Sequence, residues 1–459
     1  MFNKQNQKFM FNKITIMQPS RFATVLIAAI LMQNFAQADE PELTPMEILE
    51  ERVSEIGSSV GKLQELKVSG YIQTQFHYAG IDADGINFKL ANRANDYDRA
   101  EQHNYSRFGV RRGRIKFTYE KGLLEGVFQP DITERGVSFK DAYLGVRDPW
   151  TKRSTLKAGV FDRPFGHEIA YSSGTRESPE RSRIFQTLFP DERDLGVCLT
   201  LRTASTAPLN FLRFDGGLFA GNGIRPQFDN GLDFIGRLSA SKTYDNWTIG
   251  GGASAYIGGQ RMFAGVDSNG VPNPVRLYEM QDNAWAVKDS NNYGNLAPRQ
   301  YFGVDFQFSM FNEGLGFTQL RAEYVMGTNP GSSSGITLNP TALLTGHRYI
   351  RSISGGYVIL TQDIPTTPLT FVLKYDWYNP NTDISGNDIA SAGEIALNNI
   401  GIGLIWYINP NLRLAAYYDL VSHETTDQIQ TRVVDGYTVN GWAEKRSMDV
   451  LTVRLQYRF

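Results

Sequence analysis

Alternation of apolar and polar residues runs through most of this chain and is cleanest at its end. In the last nine residues, Leu451, Val453, Leu455, Tyr457 and Phe459 are apolar, and Thr452, Arg454, Gln456 and Arg458 between them are polar. Successive side chains of a strand point to opposite faces, so this segment has one greasy face and one wet, charged face. The same pattern recurs upstream. Phe302, Val304, Phe306, Phe308 and Met310 oppose Asp305, Gln307 and Ser309. Leu320, Ala322, Tyr324 and Met326 oppose Gln319, Arg321 and Glu323. Read this way, the chain predicts strands over 67–78, 106–119, 123–131, 137–147, 152–162, 194–203, 209–220, 231–243, 246–258, 299–310, 316–327, 348–361, 368–378, 397–408, 411–422 and 448–459.

The connections have their own rhythm. Every second one is short and rich in Gly, Pro, Asn and Asp, as tight turns require: Lys121-Gly122, Asp148-Pro149-Trp150, Asn312-Glu313-Gly314 and Asn409-Pro410 are examples. Those between them are mostly long: 79–105, 163–193, 221–230, 259–298, 328–347, 379–396 and 423–447. Alternating short turns and long loops, on strands of about eleven residues, is the layout of a transmembrane antiparallel β-barrel in the outer membrane of a Gram-negative bacterium. About sixteen strands would leave an aqueous interior. It would also leave both chain ends on the periplasmic side. A soluble barrel would need an apolar inner face, whereas here one face repeatedly carries Arg, Asp, Glu and Lys. A charge facing lipid costs roughly 2–4 kcal/mol at the bilayer midplane, so the charged face must be the lumen.

Composition agrees. The 459 residues carry a net charge of −2, so no bulk basicity points to nucleic acid. Mean hydropathy is −0.33, too polar for a helical membrane protein. The single cysteine, Cys198, excludes an intramolecular disulfide and a multi-cysteine metal site. No cofactor is expected.

The N-terminus differs from the rest. Arg21, the apolar run from Phe22 to Met32 and Ala36-Gln37-Ala38 read as an export signal over 1–38, with Met1 and Met17 both open as starts. Over 39–66 a short periplasmic helix is predicted. Met46, Leu49, Val53, Ile56, Val60 and Leu63 alternate spacings of three and four and share one helical stripe. Two readings stay open, a small coiled coil that joins copies or reaches another envelope component, and a linker helix on the barrel mouth. The barrel then covers 67–459.

Candidate chemistry concentrates in two places. Strand 106–119 carries Arg107, Arg111, Arg112, Arg114 and Lys116 with no acid before Glu120. Strict alternation places Arg112, Arg114, Lys116 and Thr118 on one face. Arginine presents a planar fork that matches carboxylate or phosphate oxygens, so such a wall favours anions. The competing reading is that these arginines pair with acids on neighbouring strands, such as Glu125, Asp131 and Asp141. The segment 163–193, third on the long-loop side after 79–105 and a short connection near Thr133 to Gly136, holds Phe165, Ile184, Phe185, Leu188 and Phe189, too apolar for a solvated loop. It is expected to fold inward and narrow the lumen, bringing Arg163, Arg176, Arg181 and Arg183, with the acids Glu168, Glu177, Glu180, Asp191, Glu192 and Asp194 beside them. None of the five histidines sits in a nucleophile motif, so no catalysis is expected.

Several motifs then converge: Arg111-Arg-Gly-Arg114-Ile-Lys-Phe, Asp141-Ala-Tyr-Leu-Gly, Ala158-Gly-Val-Phe-Asp-Arg-Pro-Phe-Gly166, Glu180-Arg-Ser, and Pro190-Asp-Glu-Arg-Asp-Leu-Gly-Val197. In these the chain resembles the phosphate-selective porins of the O and P type, which are trimeric outer-membrane channels. The resemblance implies a sixteen-stranded barrel with an inward third loop, passive diffusion of small hydrophilic solutes, a preference for phosphate or similar anions, and a homotrimer in contact with outer-membrane lipid. The alternative is a weakly selective porin with a structural or adhesive envelope role.

Overall fold

The computed structural model describes Arg52 and residues 65–83, 104–227, 229–336, 345–434 and 437–459. The expected signal peptide and the stripe from Met46 to Leu63 lie outside the described residues, Arg52 apart. Sixteen strands build the barrel, one for each predicted segment. They are β1 Leu66–Ala79, β2 Tyr105–Lys121, β3 Leu124–Thr133, β4 Gly136–Arg147, β5 Thr155–Asp162, β6 Arg193–Arg202, β7 Leu212–Phe219 and β8 Asp233–Thr243. There follow β9 Trp247–Arg261, β10 Leu296–Asn312, β11 Gly316–Ser332, β12 Arg348–Ile364, β13 Leu369–Asn379, β14 Leu397–Asn409, β15 Leu412–His423 and β16 Val450–Arg458. Each pairs antiparallel with its neighbour in sequence, and β16 returns to β1, Tyr71 opposite Arg458 and Ala79 opposite Val450. The ladder therefore has no free edge, the condition for burying backbone in lipid.

The outer surface is apolar. Ile72, Phe108, Leu144, Leu199, Leu238, Val304, Met326, Leu373, Ile402 and Leu420 are all exposed on it, Phe108 at 82%. Aromatic residues gather at the rim of short turns, where Tyr244 stacks on Trp247 at 4.1 Å and Tyr457 stacks on Phe459. Along the same strands the inward positions are polar and buried: Gln73, Gln75 and His77 on β1, Asp305 on β10, Arg321 and Glu323 on β11, Lys374 and Asp376 on β13.

Strict alternation breaks at several points among the described residues, and two of them matter for the lumen. On β2, Gln73 opposes Arg112 but Thr74 opposes Val110, so Arg111 is an extra, bulged residue. The bulge shifts the inward phase by one. Arg107, Gly109 and Arg111 face the lumen above it, and Arg112, Arg114 and Lys116 below it. On β3 and β4, Gln129 opposes Asp141 but Pro130 opposes Phe139, which leaves Lys140 as the extra residue. Pro130 has no N–H to give the ladder, and bulges are where strands accommodate such a residue. Lys140 and Asp141 are consequently both buried on the inner side.

The long connections at the opposite rim are ordered by their own small cores. Met262, Val275, Leu277, Ala297 and Ile350 form one, and Ile384, Ile389 and Ile395 with Met280 and Trp442 another.

Candidate functional site

The segment between β5 and β6, residues 163–192, occupies the lumen. Its apolar side supplies Phe165, Ile169, Ile184, Phe185, Leu188 and Phe189, which pack against inward Tyr256, Tyr301, Ile353 and Tyr357. Each such burial contributes ~1.5–3 kcal/mol, so together they offset much of the entropy of ordering the loop. A six-residue helix, α1 (Arg183–Leu188), carries three of these side chains. The Arg183 N–H donates to the Asp376 carboxylate at 2.9 Å. The Glu323 carboxylate accepts from the N–H groups of His167 and Glu168. Arg321 pairs with Glu177 and lies 4.2 Å from the Tyr171 ring centre.

On the opposite wall the loop meets β1, β2, β15 and β16. Ser173 lies between Tyr71, Gln73 and Arg114: its hydroxyl is 2.6 Å from the Tyr71 oxygen, its carbonyl accepts from Gln73 at 2.8 Å, and Arg114 donates to its hydroxyl at 3.1 Å. Gln456 donates to the Gly174 carbonyl at 2.8 Å, and Arg413 to the Arg176 carbonyl at 2.9 Å. The segment is thus tied to both sides of the barrel.

The predicted site residues have different surroundings. Arg111 and Arg112 converge on Glu180: Arg111 donates from Nε and Nη2 at 2.8 Å each, Arg112 from Nη2 at 3.0 Å. Arg114 instead pairs with Asp131 at 3.0 Å. Arg163, Arg176 and Arg181 hold the loop. Arg163 pairs with Asp194 at its base, 3.1 Å. Arg176 donates to the carbonyls of Ser178 and Pro179. Arg181 donates to the carbonyls of Glu168 and Ile169 and pairs with Glu192. Arg183 is half-buried in α1. Lys116 is half-buried on β2 and has no hydrogen-bond or ion-pair partner among the described residues.

A third cation joins Glu180. Arg454 on β16 donates to it at 2.9 Å and to Gln75 at 2.9 Å. Its place is invisible in the sequence, where it is one of many alternating lumen charges, 274 positions from Glu180. Burial works against the Glu180 charge, yet Arg111, Arg112 and Arg454 hold its carboxyl well below the ordinary range.

Between β2–β4 and the loop lies a cavity of about 460 Å³. Arg107, Arg111, Arg112, Arg114, Arg135, Lys140 and Arg181 border it, against Asp131, Glu134, Glu180, Asp191 and Glu192. Of the eight predicted residues, Arg111, Arg112, Arg114 and Arg181 reach this cavity and Lys116, Arg163, Arg176 and Arg183 do not. A second cavity, about 300 Å³, lies by the short-turn rim between Tyr171, Gly174, Thr175 and Glu177 of the loop and Arg413, Gln456 and Arg458.

An apolar outer belt around a charged interior, on strands that close on themselves, suits a chain that spans a membrane. The chain spans a bacterial outer membrane. No family model matches it, and no curated protein matches it either. Several solved structures are similar in outline. The outer membrane channel DcaP of Acinetobacter baumannii is 11% identical, with a TM-score of 0.49 over 86% of this chain and 97% of that one. The trimer form of OmpT, an outer membrane protein of Vibrio cholerae, is 12% identical, with a TM-score of 0.47 over 86% and 99%. An anion-selective porin from Comamonas acidovorans is 9% identical, with a TM-score of 0.46 over 86% and 99%. Likeness at this level concerns the fold.

Proposed function

We propose that the protein is a passive porin that admits small hydrophilic solutes, with a weak preference for anions, phosphate and small carboxylates among them. The observation that carries this reading is the cavity beside the third loop, where seven Lys and Arg face five acids. The bulges on β2 and β4 add Arg111 and Lys140 to that wall. A positive wall raises the local concentration of anions, an effect that salt screens. The preference is weak because most of these cations already hold an acid.

The porin is proposed to act as a homotrimer. Outside β2–β5, the small residues Gly126, Ala142 and Ala158 leave an apolar groove flanked by Phe117, Phe128 and Leu144, which suits close approach of a second copy. The stripe Leu49, Val53, Ile56, Val60 and Leu63 would add to the join.

The purified protein in a planar bilayer is expected to conduct, with a reversal potential in asymmetric KCl displaced modestly toward chloride. No current after reconstitution sinks the porin reading, and a cation-sided potential sinks the preference. Mass in mild detergent before and after heating checks the trimer.

A further inference from the structure

Three guanidinium groups in the lumen share one carboxylate. Glu180 accepts two bonds from Arg111 at 2.8 Å, one from Arg112 at 3.0 Å and one from Arg454 at 2.9 Å. Other edges of Arg112 and Arg454 meet neutral oxygens. Arg112 Nη1 donates to Gln73 at 2.9 Å, and Arg454 Nε donates to Gln75 at 2.9 Å. The neighbouring acids are committed elsewhere, Asp131 to Arg114 and Glu134 to Arg107. The cradle therefore holds three positive charges against one negative. Arg112 is only 2% exposed, and its Nε has no hydrogen-bond partner among the described residues. Assembling buried like charges this closely is costly unless anionic oxygens meet them. The amides of Gln73 and Gln75 fix the guanidinium planes beforehand, so little ordering remains for an entering ligand.

We propose that Arg111, Arg112 and Arg454 form a binding site for small carboxylates, and that Glu180 is its tethered occupant, displaced when a solute carboxylate enters. The inference rests on the porin reading for the solute's route. Glu180 itself demonstrates the fit: a planar two-oxygen anion takes the Arg111 fork bidentately, with Arg112 and Arg454 closing on the same oxygens. The site is reachable, since Arg111 has a side chain 41% exposed and Gln75, Arg111, Arg112 and Glu180 all border the 460 Å³ cavity. That volume takes a molecule the size of acetate or succinate.

The test is calorimetric titration of the full-length protein in detergent with succinate, acetate and inorganic phosphate, for the wild type and for Glu180→Gln. The substitution removes the internal competitor, whose effective concentration is at least millimolar, so succinate and acetate should bind about tenfold more tightly or better. Phosphate should gain less. An equal gain for phosphate overturns the carboxylate assignment, and unchanged affinity for all three overturns the site. Should Glu180→Gln fail to fold, Glu180→Asp loosens the tether by one methylene and should show a smaller gain of the same sign. Chloride current recorded on the same samples separates the two readings. Intact current with unchanged binding removes the site alone, and carboxylate binding without any current removes the porin reading alone.

Discussion

Replacing Arg114 by alanine separates a structural arginine from a free anion ligand. In the folded barrel the Asp131 carboxylate accepts from Arg114 Nε and from the Gly113 N–H, each at 3.0 Å. Both side chains are nearly inaccessible, at 5% and 7%. Arg114→Ala leaves that carboxylate buried with one backbone bond and also cuts the Arg114–Ser173 tie to the loop. Removing one partner of a buried pair costs about 3–5 kcal/mol. The retained Gly113 bond favours the lower end, ~3 kcal/mol, equivalent to about a hundredfold or more in the unfolding equilibrium. Urea titration of the barrel in lipid vesicles, followed by tryptophan fluorescence, reads this directly. Arg114→Ala with Asp131→Ala should cost less than the sum of the two single changes, because the double variant leaves no orphaned charge. A single-variant cost below about 1 kcal/mol would refute the reasoning. The pair would then behave as a solvated surface pair, and Arg114 would be available to passing anions.

Three further outcomes are expected. Lys116→Glu, at a lumen position with no partner among the described residues, should move the reversal potential toward cations while leaving the unfolding free energy within about 0.5 kcal/mol of wild type, as measured on the same vesicles. Val304→Arg, halfway along the lipid face of β10, should destabilise the barrel by roughly 2–4 kcal/mol in the same unfolding assay. The Glu180 carboxyl is depressed in the folded state, so its contribution is fully present above the ordinary unfolded value of about 4.3 and is lost as pH falls through the folded value. The difference in stability between wild type and Glu180→Gln should accordingly stay constant from pH 7 to about 5 and shrink only in stronger acid.

Much of the architecture was legible because a two-residue period is a local property. Val304 and Asp305 declare opposite faces without reference to any other strand, and sixteen such segments, alternately joined by short turns and longer loops, leave a closed barrel as the economical solution. The expectation of an inward fold for 163–193 rests on a related reason: Phe165, Phe185 and Phe189 cannot remain in water, and lipid is closed to a loop whose backbone needs partners. Phase was harder. Alternation alone sends Arg111 outward with Gly113, and the bulge opposite Gln73 brings it inward. Pro130 carried a local signal for the companion bulge at Lys140; the bulge at Arg111 offered none.

What the sequence alone determined is the number of strands and which of their faces meets lipid and which, with its cations, meets the lumen. Only the tertiary structure decided which of those cations are free. Ion pairing depends on distances between segments far apart in the chain, and neither composition nor period encodes them. Glu180 meets Arg112 and Arg454 because the loop, pinned by Phe185 and Phe189 on one wall and by Ser173 on the other, delivers its carboxylate to that height in the lumen. The sequence could place a basic strand and an acid-bearing loop in one barrel. The packing of the loop's apolar side determined which charges meet, and so left the cradle with more positive charge than its single carboxylate can balance.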